Sequence, residues 1–124
     1  MGIFFNAGMK RREKMRSNFQ RMLRERRGSG ELTVEDYNKG MRASLRNSTI
    51  EHLISESQKS GSPDSPLKGE FDWAGIWEWI KENWWEILKI VLTIAIMFAD
   101  TQEEKELYGD GTLSAESGPK NQNE

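Results

Sequence analysis

Apolar residues recur at helical spacing in four stretches of this chain, and that spacing predicts an all-α protein. Between residues 9 and 27, Met15, Phe19, Met22 and Leu23 fall on one face of a helix that Gly28-Ser29-Gly30 stops. Thr33 followed by Asp36 marks the start of a second helix. Its apolar stripe is read as Val34, Tyr37, Met41 and Leu45, with Gly40 as a weak point. Ser48-Thr49-Ile50-Glu51 fits a capping box for a short third helix to about Ser57, carrying Ile50, Leu53 and Ile54. Together these helices are expected to form a hairpin with a small core, marginal by itself.

The fourth stretch, Phe71–Ala99, holds all five tryptophans: Trp73, Trp77, Trp79, Trp84 and Trp85. Asp72 is placed to cap it, no proline interrupts it after Trp73, and Gly75 is its only glycine from there on. An unbroken helix from Trp73 to Ala99 would be about 40 Å long at ~1.5 Å per residue, enough for a bilayer core of ~30 Å. At ~100° per residue, Glu78, Lys81, Glu82, Glu86 and Lys89 share one face, continued by Thr93. Trp73, Trp77, Ile80, Trp84, Ile87, Leu88 and Val91 share the other. From Ile90 to Ala99 only Thr93 is polar, so an amphipathic half leads into an apolar half.

Whether such a helix crosses a membrane turns on Lys89, the centre of a window from Trp79 to Ala99. A central lysine costs ~2.5–3.5 kcal/mol on the insertion scale. Ile80, Ile87, Leu88, Ile90, Val91, Leu92, Ile94, Ile96 and Phe98 return roughly 3–5 kcal/mol, so insertion is conditional. The tryptophans cluster at the charged end, as an interfacial belt would. Glu78 with Lys81 and Glu86 with Lys89 are spaced to neutralise each other, and Lys89 is spaced to stack on Trp85. The membrane-contacting set is thus the five tryptophans and these nine aliphatic and phenylalanine positions. Several copies turning Glu78, Lys81, Glu82, Glu86 and Lys89 inward would line a wet pathway, so a homo-oligomer is expected. Plainer alternatives are a helix lying flat in the interface and a buried helix in an oligomer core.

Charge sharpens the division into segments. The net charge of −2 hides a balance of +6 over residues 1–69, −3 over 70–99 and −5 over 100–124. The positive excess centres on the first helix, in Lys10, Arg11, Arg12, Lys14, Arg16, Arg21, Arg24, Arg26 and Arg27. A basic amphipathic helix suits an anionic lipid surface, a groove of the calmodulin kind or nucleic acid, or simply a solvated helix packed on its neighbour. The predicted organisation is a basic helical region (1–56), a disordered Ser/Pro/Gly linker (57–70), the tryptophan-rich helix (71–99) and a disordered acidic tail (100–124). These would be elongated segments, with the third as a C-terminal hydrophobic or transmembrane helix. The apolar start Met1–Met9 precedes its positive charges, the reverse of signal-peptide order. The N-terminus is therefore expected in the cytoplasm, with the tail on the opposite side if the helix crosses.

Candidate chemistry is sparse. The chain has no cysteine, its one histidine, His52, has no catalytic constellation around it, and Asp110-Gly111 lacks the other ligands of a calcium loop. No phosphate loop, metal set or nucleophile motif appears, so no enzyme, cofactor or small-molecule substrate is expected. In plan, with the basic helix Met15–Arg27 and the tryptophan-bearing helix Trp73–Ala99, the chain resembles small viral accessory membrane proteins of the viroporin kind. The resemblance is one of architecture. It implies a single-pass or interfacial protein that self-associates and permeabilises membranes. Alternatives are a membrane-anchored adaptor, whose basic helix recruits a protein or nucleic acid, and a soluble oligomeric scaffold.

Overall fold

The computed structural model describes residues 3–61, 73–109 and 113, and its regular elements are all helices. They are α1 (Ile3–Gly28), α2 (Val34–Ser44), α3 (Asn47–Gly61), α4 (Trp73–Glu82), α5 (Trp84–Met97) and α6 (Gln102–Tyr108). The ends follow local chemistry. α1 closes in a Schellman motif: Gly30 takes φ 85°, the Glu31 amide donates to the Arg26 carbonyl at 2.9 Å, and the Gly30 amide donates to that of Arg27 at 3.1 Å. Thr33 caps α2 by accepting from the Asp36 amide at 3.0 Å, as its spacing predicts. Thr101 does the same for α6 with the Glu104 amide at 3.1 Å.

The expected string of separate segments gives way to one shared core. Met15, Phe19, Met22 and Leu23 of α1 are fully buried, in one cluster with Ile50 and Leu53 of α3, Ile76 and Ile80 of α4, and Trp84, Ile87, Leu88, Val91, Leu92 and Ala95 of α5. The apolar faces of α1 and of α4–α5 need cover in water, and each finds it in this core. Among the described residues no helix is long and apolar enough to cross a membrane, so a transmembrane helix is not what this arrangement shows.

The continuous helix predicted from Trp73 to Ala99 is divided at Asn83, which takes φ −117° and ψ 24°. Its side-chain amide donates to the Trp79 carbonyl at 3.0 Å, a local bond that competes with the helical ladder. α2 also departs from its predicted stripe. Val34 and Leu45 are more than half exposed, and the buried face is Asp36, Lys39, Gly40, Ala43 and Ser44. Small residues are needed there because α2 lies against both α1 and α5. A Cβ on Gly40 would stand 3.1 Å from a Leu23 methyl and 3.2 Å from a Leu88 methyl. The linker and tail are more ordered than expected at their first residues. α3 runs on to Gly61, with Ser57 buried and its hydroxyl donating to the Ile54 carbonyl at 2.8 Å. Residues 102–108, read as disordered tail, form α6, which buries Tyr108. The remainder of the linker, and of the tail beyond Gly109 except Leu113, lies outside the described residues, as does Asp72.

α6 is tied down by Arg46 in the α2–α3 turn, whose guanidinium reaches Glu104 at 3.0 Å and Asp100 at 3.4 Å. The Asp100 amide, donating at 2.8 Å, holds the Glu104 carboxyl below its usual range; burial opposes this, and Arg46 adds to the lowering. Burial pushes the Tyr108 phenol up.

Three outcomes follow from this packing. Leu88→Ala, at a fully buried position, costs about 2–5 kcal/mol, read as a lower urea midpoint at unchanged slope. Gly40→Ala stays within about 1 kcal/mol of wild type, because helix propensity offsets the crowding of two leucine ends, whereas Gly40→Val costs about 1–3 kcal/mol. Because the Glu104 pKa is lowered on folding, its contribution is present above the unfolded value and lost as pH falls through the folded one. Thermal melts therefore show wild type losing stability on acidification below about pH 4.5, and Glu104→Gln losing less over the same range.

Candidate functional site

α1 runs beside α4 in the same direction and reaches the first residue of α5, and the contact there is a seam of cations on tryptophans. Lys14 Nζ lies 5.0 Å from the centre of the Trp73 ring, Arg21 Cζ 5.1 Å from that of Trp77, and Arg26 Cζ 5.1 Å from that of Trp84. Lys81 of α4 approaches the Trp77 ring as well, at 5.8 Å. The order 14, 21, 26 against 73, 77, 84 fixes the parallel sense, and the two spans match at ~1.5 Å per residue. Trp84 is buried and meets Trp85 edge-on at 5.3 Å. Trp73 and Trp77 stay part-exposed beneath exposed Lys14 and Arg21.

Each cation is positioned by helical register. Lys14 and Arg21 are seven residues apart, so they stand in line at one edge of the apolar face of α1. Asn18, buried and between them in sequence, accepts from Arg21 through its side-chain Oδ1 at 3.0 Å. Arg26 follows Met22 by four and Leu23 by three, so it continues the apolar stripe itself. Its guanidinium pairs with Glu31 at 3.3 Å, donates to the Lys81 carbonyl at 3.2 Å, and has its Nε buried without a partner.

The rest of the basic cluster divides by task. Arg12 pairs with Glu51 of α3 at 2.8 Å. Arg16 pairs with Glu13 and donates to the Ser44 carbonyl at 2.8 Å and to Asn47 at 2.5 Å, tying α1 to the α2–α3 turn. Arg27 donates to the Leu32 carbonyl at 2.7 Å. Lys10, Arg11 and Arg24 stand exposed. A helix read as a uniform basic surface is thus half structural and half outward-facing.

The polar face of α4–α5 is where the spacing puts it. Glu78, Glu82, Glu86, Lys89 and Thr93 are exposed, and the pairs Glu78–Lys81 and Glu86–Lys89 close at 3.2 and 3.1 Å. Of the apolar set, Ile80, Trp84, Ile87, Leu88, Val91, Leu92 and Ile94 are buried, Trp79, Trp85 and Ile96 are part-buried, and Ile90 and Phe98 are exposed. Ile76 and Ala95, which the membrane reading left out, are buried too. Beside Ile90 an open groove of about 350 Å³ runs between α3 and α5, lined by His52, Glu86, Lys89, Thr93, Ile94 and Met97. His52 faces Glu56 at 3.6 Å, and no group of metal-binding side chains occurs among the described residues.

No family model, curated protein or solved structure matches the chain.

What the sequence reading missed is that the basic and tryptophan clusters, assigned to separate segments, form one site. The available signal was the position of Arg26 within the apolar stripe of α1, where a cation needs an aromatic or acidic partner. In a double-mutant cycle on Arg21→Gln and Trp77→Leu, read by urea denaturation, the coupling is about 0.5–1 kcal/mol.

Proposed function

We propose that this chain is a non-enzymatic helical protein that associates with anionic membrane surfaces through the α1/α4 seam. The observation that carries the reading is the pairing of exposed Lys14 and Arg21 with part-exposed Trp73 and Trp77 along one edge. The headgroup region rewards that combination: each lysine or arginine near an anionic surface gains ~1 kcal/mol, and indole rings favour the boundary between headgroup and acyl chain. Contact at the seam leaves Glu78, Glu82 and Glu86 in water, so the protein lies on the surface. Perturbation of the bilayer, as the viroporin-like plan implies, would then follow binding and be no part of the resting fold.

A second reading, a self-associating helical scaffold, is favoured by the outer stripe of α5, where Ile90, Met97 and Phe98 are exposed beside the α3/α5 groove.

Flotation with vesicles separates the two. The full chain is expected to bind vesicles of mixed phosphatidylglycerol and phosphatidylcholine, to lose binding with added salt, and to ignore pure phosphatidylcholine. The pair Lys14→Gln with Arg21→Gln weakens binding on the order of tenfold or more. Equal binding to neutral vesicles, or no effect of the pair, would sink the membrane reading. A lipid-free dimer broken by Met97→Glu would favour the scaffold.

A further inference from the structure

Three of the six large apolar side chains exposed among the described residues, Ile90, Met97 and Phe98, lie together toward the C-terminal end of α5. Glu86, Ile90, Thr93 and Met97 are spaced four, three and four apart, the interval of a coiled-coil seam, and all four are exposed. This stripe forms one wall of the α3/α5 groove, whose other wall carries His52. Thr93, at its middle, donates its hydroxyl proton to the Lys89 carbonyl at 2.9 Å, so covering it strands no donor. The stripe is charged at its N-terminal end, where Glu86 pairs with Lys89 at 3.1 Å, and closes on Met97 at the other.

We propose that this stripe docks on the same stripe of a second copy, the two α5 helices lying antiparallel about a two-fold axis level with Thr93. The proposal rests on the self-association reading above, and it uses none of the seam residues Lys14, Arg21, Trp73 and Trp77. A surface that pairs with itself about a two-fold axis must be its own complement. Ile90 and Met97 meet that condition, because they stand seven residues apart on either side of the axis. Ile90 of each copy packs on Met97 of the other. Charge selects the sense of the pair. A parallel pair would set Glu86 against Glu86 and Lys89 against Lys89. The antiparallel pair sets Lys89 level with the far end of the other copy's α5, where the last carbonyls carry the negative end of the helix dipole and exposed Asp100 follows. The incoming helix fills the groove beside His52, which adds α3 to the contact. One helical stripe and a groove flank make a small interface, so the pair forms reversibly with concentration.

The chain has no cysteine, so single cysteines introduced into the full-length protein report the register of the pair. In sedimentation equilibrium, wild type is expected to show a reversible monomer–dimer equilibrium. Met97→Glu weakens it on the order of tenfold or more, because a carboxylate replaces the apolar contact at both ends of the pair. Leu45→Glu, at an equally exposed position away from the stripe, leaves it unchanged. Under mild oxidation Thr93→Cys gives a disulfide-linked dimer, since position 93 meets its counterpart beside the axis. Ile90→Cys alone and Met97→Cys alone give none. At ~1.5 Å per residue each stands about 10 Å along the axis from its own counterpart, beyond the ~7 Å that a disulfide spans. Mixed together, the two variants link to each other. Self-linking at position 90 or 97, no linking at 93 where wild type sediments as a dimer, or a dimer indifferent to Met97→Glu would overturn the antiparallel pairing and leave self-association through another face. Wild type that stays monomeric to about 1 mM would instead remove self-association itself and give the groove to a different occupant.

Discussion

Two amphipathic faces in this chain need cover in water, and the fold follows from how they get it. The face of α1, centred on Met15, Phe19, Met22 and Leu23, is too narrow to stand alone; that of α4–α5, from Ile76 to Ala95, is too broad to be left open. Burying both in one core fixes their parallel course. It leaves a space that α2 fills with Gly40, Ala43 and Ser44, and a flank that α3 closes with Ile50 and Leu53. The cations at the edge of α1 then have no choice of neighbour. They lie over the indole rings that the same alignment brings beneath them, so the seam is a by-product of apolar packing before it is anything else.

Much of this could be read from residue spacing. The apolar stripe of α1, its stop at Gly30, the Thr33 cap and the charged face of α4–α5 are local patterns, decided within a few residues of chain, and they stand in the structure as the spacing implies. What could not be read is what each face meets. A stripe such as Trp77, Ile80, Trp84 and Ile87 suits acyl chains and protein side chains equally, because both are simply apolar. Choosing between them needs a partner of matching width elsewhere in the chain. α1 supplied part of one, but its charge drew attention outward. α2 misled for the opposite reason: where helices approach closely, the smallest residues face inward, and the larger Val34 and Leu45 are left in solvent.

The division of the basic cluster bears on function more than its total charge does. Arg12, Arg16 and Arg27 are spent on neighbouring helices and turns, and Arg26 on the α4–α5 junction. Lys14 and Arg21 combine exposure with a ring beneath. A cation in that position has its charge directed outward and its stem packed, so it meets an anionic surface with little freedom left to lose. The polar face of α4–α5 points elsewhere, and there Glu78 and Glu86 are paired with Lys81 and Lys89.

Gly40 carries a mechanical consequence. A carbon added at Gly40 would meet methyl groups of Leu23 on α1 and Leu88 on α5 at 3.1–3.2 Å, so side chains of both helices converge on α2 at one point. Sliding α1 or α5 along its axis would press a leucine against α2 at that point, and Arg16 and Gln20 of α1 bond to Ser44 of α2 one helical turn away. The crossing therefore sets the axial register of three helices through a single glycine.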